Sequence, residues 1–220
     1  MKKVLAFNGS IRKTGNTSHL LSHFMEGCLE ATDQIEEISA HEINLDYCTG
    51  CLRCNIIKKC SVRGDDWQDI SEKILDADIL VFASPIYFHH VSGQLKKLID
   101  RFRSFVHVKI TEKGLIHTPH QFWNKEFVLL LSMGSPDDED AQPVIDLFRY
   151  MTKILGPENK LHVIKGTRLA VTNHVIKTEE ELKILYPKMG LSESLATDDH
   201  KRNQEVLVKC KKLGRKIVNN

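Results

Sequence analysis

Four short apolar runs recur along the chain: Val4-Leu5-Ala6-Phe7, Ile79-Leu80-Val81-Phe82-Ala83, Phe127-Val128-Leu129-Leu130-Leu131 and Leu169-Ala170-Val171. They are continuous rather than alternating, which predicts strands covered on both faces, as in a parallel sheet. A weaker fifth run, Glu37 to Leu45, alternates Ile38, His41 and Ile43 with polar neighbours and predicts an edge strand. Between the runs, Leu20, Leu21, Phe24, Cys28 and Leu29 fall at helical spacing, as do Ile70, Ile74 and Leu75, and then Leu95, Leu98, Ile99 and Phe102. Strand alternating with helix predicts a doubly wound α/β fold, a five-stranded parallel sheet with helices on both faces.

The 220 residues suit one such domain without a second. Asp65-Asp66, just before the Trp67 to Leu75 pattern, reads as a helix N-cap with a second acid favourable to the helix dipole. The stretches 105–124 and 172–199 exceed ordinary connections and are expected to form lids, small extra elements or subunit contacts. With 41% hydrophobic and 27% charged residues, the composition is that of a globular chain and excludes a disordered or fibrous one. The net charge of +2 is unevenly placed, because positions 201–220 hold seven Lys or Arg against one Glu. That tail has no aromatic residue, so it predicts a helical extension with a solvated basic face rather than a nucleic-acid surface. The apolar run after Lys2-Lys3 stops at Asn8 after four residues, too short for a secretory signal, and no run is long enough to span a membrane. A cytoplasmic protein is expected. Its six Cys are then poor candidates for disulfides, and four of them, Cys48, Cys51, Cys54 and Cys60, crowd into thirteen residues.

Two loops carry the chemistry. The first, Gly9-Ser10-Ile11-Arg12-Lys13-Thr14-Gly15-Asn16-Thr17-Ser18, joins the first strand to the first helix, at the strand ends where open α/β sheets bind ligands. Its glycines permit a turn, the helix start presents backbone N–H groups, and Ser10, Thr14, Asn16, Thr17 and Ser18 add neutral donors, with Arg12 near. A Walker motif is excluded, since five residues separate Gly9 from Gly15 and Asn16 stands where Lys is required. A dinucleotide fingerprint is excluded as well, because Ile11 occupies its second Gly position. A terminal phosphate monoester remains as the expected ligand; the alternative is a capped turn with no ligand, which needs only one of these polar residues. The second loop, Ser84-Pro85-Ile86-Tyr87-Phe88-His89-His90, follows the third strand and offers flat apolar surface for a planar ring beside that phosphate site. His89 and His90 are candidate proton donors there, against the alternative of surface histidines without a role.

In these two loops the chain resembles the flavodoxin-like NAD(P)H-dependent FMN reductase superfamily. The phosphate loop of that family reads approximately Gly-Ser-x-Arg-x-x-Gly-Asn-Thr, as in Gly9 through Thr17, and its isoalloxazine loop reads Ser-Pro-Ile-Tyr, as in Ser84 through Tyr87. The resemblance runs from Met1 to about Arg101 and implies a flavodoxin-like sheet. It also implies that Ser10, Arg12, Asn16 and Thr17 hold the FMN phosphate and that Pro85, Ile86, Tyr87 and Phe88 lie along the flavin. Ser132, Met133, Gly134 and Ser135, after the fourth strand, would close the other side, and a homodimer is implied because the family often builds its flavin site near a subunit interface.

Cys48-x2-Cys51-x2-Cys54-x5-Cys60, with a bend at Gly50, can place four thiolates around a small volume, as a cubane requires, and a zinc site more often uses two widely separated pairs. The spacing resembles the iron–sulfur flavoproteins, a branch of the same superfamily in which a [4Fe-4S] cluster passes electrons to FMN. Unligated buried or redox-active thiols are the alternative. Cys28 and Cys210 are expected to be helix-core residues. The expected function is an FMN-dependent oxidoreductase in which NAD(P)H reduces FMN, which passes electrons to a quinone or another small oxidant, or to a ferredoxin-like protein if a cluster is held. The rivals are a flavodoxin-type electron carrier without turnover, disfavoured by the lack of strong acidity, and an anion-binding regulatory module.

Overall fold

The computed structural model describes residues 1–219. The run Val4 to Phe7 lies in strand β1 (Val4–Asn8), buried at all five positions, and leads into helix α1 (Asn16–Leu29). Strand β2 (Ile35–Ser39) follows, then a one-turn helix α2 (Cys54–Ile57), helix α3 (Trp67–Asp76), strand β3 (Ile79–Pro85) and helix α4 (Gly93–Arg101). Strands β4 (Val106–Thr111) and β5 (Gly114–Pro119) form a separate antiparallel hairpin. Strand β6 (Glu126–Ser132), helix α5 (Gln142–Leu155) and strand β7 (Lys160–Gly166) complete the sheet, and helices α6 (Glu179–Lys188) and α7 (Leu195–Asn219) end the described chain.

The main sheet is five-stranded and wholly parallel, in the order β2-β1-β3-β6-β7. This is the flavodoxin-like arrangement, in which connections leave β1 and β3 toward opposite edges and open a crevice at their carboxyl ends. Side-chain alternation divides the core in two. Leu5, Phe7, Leu80 and Phe82 face α3, α4 and α5, and Val4, Ala6, Ile79 and Val81 face α1 and α7. Helices α1 and α7 touch backbone to backbone: a Cβ on Gly27 would lie 2.0 Å from the Lys211 carbonyl oxygen, and one on Gly214 would lie 2.1 Å from that of Phe24. Only glycine permits that approach. The basic residues of α7 occupy its outer face, while Val206, Leu207, Cys210, Ile217 and Val218 are buried.

The structure departs from the sequence expectations at four places. Leu169-Ala170-Val171 is not a strand; the fifth strand is Lys160–Gly166, whose Lys-Leu-His-Val-Ile-Lys pattern is the half-buried alternation of a sheet edge rather than a continuous apolar run. The other edge strand spans Ile35–Ser39 rather than reaching Leu45, and His41 beyond it bonds through Nε2 to the Gly9 carbonyl at 3.2 Å. Asp66 stands at the N-cap of α3 without capping it; its carboxylate accepts the Asn44 N–H at 2.7 Å. Asp65 accepts the Trp67 N–H at 3.2 Å and pairs with the buried Arg101. Leu29 and Leu75, on the predicted apolar faces, are exposed. The long stretches are resolved into the β4–β5 hairpin and into a 3-10 turn at His174–Ile176 followed by α6, which opens with a Thr178/Glu181 capping box.

His174 is fully buried, with Nε2 3.2 Å from the Tyr186 hydroxyl, and burial lowers its pKa to about 4. An unfolded His protonates near 6.5 while the folded one stays neutral, so stability present above that value is lost as pH falls from about 6.5 toward 4. The loss expected from this group between pH 7 and pH 5 is about 2 kcal/mol. Urea midpoints at the two pH values measure it, and the difference should shrink by that amount in His174→Asn.

Candidate functional site

The crevice at the carboxyl ends of β1, β3 and β6 contains a cavity of about 300 Å³ lined by Ser10, Arg12, Gly15, Asn16, Thr17, Pro85, Ile86, Tyr87, Ser132, Met133, Gly134, Leu169 and Ala170. That volume falls at the lower end of small-molecule sites. At one end, α1 begins at Asn16 behind Gly15, which has no side chain to cap it, so the first backbone N–H groups of the helix have no partner within it. The loop before it is internally braced. Ser10 Oγ accepts the Arg12 N–H at 3.2 Å, Ser18 Oγ donates to the Arg12 carbonyl at 3.0 Å, and the Gly15 N–H donates to the same carbonyl at 2.9 Å. Helix N–H groups without a cap, with Arg12 alongside, are groups that favour negative charge.

The polar residues expected to hold a phosphate divide by role. Ser10, Arg12 and Thr17 line the cavity, and Thr17 shares a 2.7 Å hydrogen bond with Ser132. The Asn16 amide is committed elsewhere: Nδ2 donates to the carbonyls of Leu169 and Val171 at 3.1 and 2.8 Å, and Oδ1 accepts the Val175 N–H at 3.0 Å. Asn16 therefore offers the cavity its backbone and pins the opposite wall with its side chain. Thr14 is exposed, and neither Thr14 nor Ser18 lines the cavity.

The ring-binding side is apolar. Ser84, fully buried, accepts the Ser92 N–H at 3.0 Å and donates to the Pro85 carbonyl at 2.8 Å, while the Ile86 N–H donates to the Ser132 carbonyl at 2.8 Å. These bonds fix Pro85 and Ile86 against the loop after β6. Tyr87 and His90 then exchange backbone hydrogen bonds at 2.9 and 3.0 Å around Phe88 (φ +48°) and His89 (φ +60°), a left-handed two-residue turn with bulky side chains where Gly or Asn is usual. Phe88 is 101% exposed and does not line the cavity, contrary to its expected place along the ring. His89 and His90 are also outside the lining. His89 Nδ1 stands 3.6 Å from Asp140, and His90 Nδ1 accepts the Val91 N–H at 3.0 Å, with burial lowering the His90 pKa. Neutral His90 keeps its proton on Nε2. Leu169 and Ala170 are wall residues that the sequence did not reveal as such, because their apolar character reads as a strand.

A second, smaller cavity is lined by Cys48, Cys51, Cys54 and Cys60 together with Arg101, Arg103 and Ser104. Gly50 bends the loop at φ +67°, and Leu52 and Lys58 are also left-handed. Arg101 Nη2 donates to Cys60 Sγ at 3.3 Å, and Arg103 Nη1 donates to Cys54 Sγ at 3.4 Å. Burial raises the Cys54 thiol, with Arg103 opposing, whereas the Ser61 hydroxyl and nearby backbone lower the exposed Cys51 thiol to about 7. Asn55 ties this loop to the hairpin, donating to the Val108 carbonyl at 2.8 Å and accepting its N–H at 3.0 Å. Among the described residues no three His, Cys, Asp or Glu side chains stand together as a metal-binding group. Four cysteines border this cavity, and the sulfurs of two of them accept from guanidinium donors; thiols are the ligand type of an iron–sulfur cluster, but the four do not converge on one point here. Cys28 and Cys210 are core residues, their thiols pushed up to about 12 by burial.

Comparison with known proteins gives the site its context. The family model described as NADPH-dependent FMN reductase matches residues 2–173. YwqN of Bacillus subtilis is 34% identical over 168 residues, covering 76% of this chain and 86% of its own. Iron-sulfur flavoprotein MJ1083 of Methanocaldococcus jannaschii is 39% identical over 101 residues, 46% of this chain and 52% of its own, so the match spans about half of that relative. An azoreductase from Bacillus anthracis superposes with a TM-score of 0.66 at 16% identity, over 98% of this chain and 100% of its own, which shows the shared fold. Matched over most of its length, the chain belongs to the NADPH-dependent FMN reductase family.

Proposed function

We propose that the chain binds FMN in the crevice cavity and catalyses electron transfer from NAD(P)H to a quinone or another small oxidant. The observation that supports this most directly is the pairing, in one cavity, of an uncapped helix start with the flat apolar wall of Pro85, Ile86 and Tyr87. Bound FMN would supply hydride acceptance from the nicotinamide and redelivery of the electrons. The protein residues bind and orient. The helix start with Arg12, Ser10 and Thr17 would hold the phosphate, Pro85 and Ile86 would exclude water from one edge of the ring, and Met133 and Gly134 would border the other. Tyr87, half exposed, leaves room at the cavity mouth for a stacked substrate.

No side chain is required as a nucleophile, and the positions of His89 and His90 make neither a lining group. Steady-state oxidation of NADPH or NADH by FMN-loaded protein with a benzoquinone is expected to show turnover. Its absence in protein that retains FMN supports the electron-carrier reading instead.

A second component of the proposal is a [4Fe-4S] cluster on Cys48, Cys51, Cys54 and Cys60, supported by their shared cavity, by the two guanidinium contacts and by similarity to proteins named iron–sulfur flavoproteins. Anaerobically prepared protein should then contain about four iron and four sulfide per chain. A ferredoxin-like protein becomes the natural partner in that case, and flavin bands without iron place the chain with the simple reductases.

A further inference from the structure

Helix α7 lies beyond the residues matched by the family model, yet its buried Asp199 is connected to the cavity wall. The Asp199 side chain is 2% exposed; it accepts hydrogen bonds from Arg202 Nη1 at 2.6 Å and the Tyr186 hydroxyl at 2.6 Å, and forms an ion pair with Arg168, whose Nε lies 3.0 Å away without hydrogen-bonding to it. Tyr186 in turn meets His174, and Arg202 reaches the Thr167 carbonyl at 3.4 Å. A buried carboxylate with this many partners adds little net stability over an apolar replacement, but it fixes one geometry for the groups it holds.

Arg168 is the group that matters for the cavity. It is a non-glycine residue at φ +56°, a conformation that has to be imposed by its surroundings, and it directly precedes the wall residues Leu169 and Ala170. The Arg168 N–H donates to the Ser135 carbonyl at 2.8 Å, and the Leu169 N–H donates to the Met133 carbonyl at 2.7 Å. The Leu169 carbonyl accepts from Asn16 at the start of α1 at 3.1 Å. One turn thus joins the loop after β6 to the phosphate end of the cavity, and Asp199 grips it from behind.

We propose that Asp199 is a positioning residue for the flavin cavity, acting through Arg168 to hold the Leu169-Ala170 wall in its ligand-competent form. This rests on the FMN reading above. The hydrogen-bond and ion-pair partners of Asp199 are Arg168, Arg202 and Tyr186, none of them a lining residue. Its removal lowers the population of the competent wall, and the apparent affinity falls by the same fraction.

The test is FMN titration of flavin-free protein, followed by quenching of flavin fluorescence, with thermal melts of each flavin-free variant alongside. Asp199→Asn and Arg168→Gln should each raise the Kd for FMN about tenfold, and the double variant should be no worse than either single one, because both break one link. Arg168→Lys, which keeps a cationic donor, should recover most of the affinity. Tyr186→Phe loosens the same carboxylate without touching the wall and should lower the melting temperature while leaving Kd within about twofold. If Asp199→Asn fails to fold, the Arg168 pair, with a half-buried arginine, gives the same reading. Folded Asp199→Asn or Arg168→Gln protein with wild-type Kd overturns the positioning role, as does a double variant whose losses simply add. Wild-type protein that takes up no FMN overturns the flavin reading itself, a separate outcome visible before any variant is made.

Discussion

Replacing Asp65 by alanine is expected to cost about 3–5 kcal/mol of folding stability, the range for leaving a buried charge without its partner. Arg101 is 1% exposed, the largest fully buried side chain among the described residues, and its guanidinium is enclosed by Asp65, the Asp46 carbonyl at 2.7 Å, Cys60 Sγ and the Trp67 ring at 5.2 Å. Burial works against the Asp65 carboxylate, but its hydrogen bonds and ion pair with Arg101 outweigh this and hold the carboxyl below the usual range. The contribution is therefore present above about pH 4, where an unfolded Asp ionises, and is lost as pH falls through the lower folded value. Asp66→Ala removes one exposed acceptor for the Asn44 N–H and should cost about 1 kcal/mol or less. Urea denaturation at pH 7 separates the two. Equal losses would show that the Asp65–Arg101 pair does not fix the junction of α3, α4 and the cysteine loop.

The second large effect is discrimination by phosphate. Riboflavin offers the same ring to Pro85, Ile86 and Tyr87 but nothing to the uncapped start of α1, which lines the cavity together with Arg12. A hydrogen bond to a charged group contributes about 1.5–3 kcal/mol, so losing two of them should weaken riboflavin by on the order of 100-fold or more relative to FMN. Arg12 is exposed, and screening limits what its charge adds. Arg12→Gln should accordingly weaken FMN by about threefold to tenfold at low salt and leave riboflavin unchanged. Competitive titration with the two flavins measures both effects. Similar Kd values for FMN and riboflavin would place the phosphate outside the α1 start.

Much of this architecture is legible from periodicity alone. The runs at Val4, Ile79 and Phe127 are buried on both faces and carry no polar interruption, so they announce the three central strands. The edges are harder. Lys160–Gly166 shows half-burial and alternates polar with apolar, while the nearby Leu169-Ala170-Val171 is more apolar and serves as cavity wall. The β4–β5 hairpin is hidden because its residues are largely exposed and only Val106 and Val108 of its strands pack against the core. In the site, the loop chemistry of Gly9 to Thr17 and Ser84 to Tyr87 points to the right crevice. The commitments of individual side chains depend on residues more than a hundred positions away: the Asn16 amide is used by Leu169, Val171 and Val175, and Thr17 is bonded to Ser132. The Asp65-Asp66 pair shows the same limit, since a local cap and a long-range ion pair look alike until Arg101 is placed beside it.

The proposed activity requires the crevice to hold FMN in a form that NAD(P)H can reduce. Mixing FMN-loaded protein anaerobically with NADPH or NADH, while following the flavin absorbance band, tests it in one step. Stoichiometric FMN that bleaches on mixing and recovers its colour when a quinone is added is the expected result. Protein that retains no FMN, or bound FMN that stays oxidised with both nicotinamides, would contradict it.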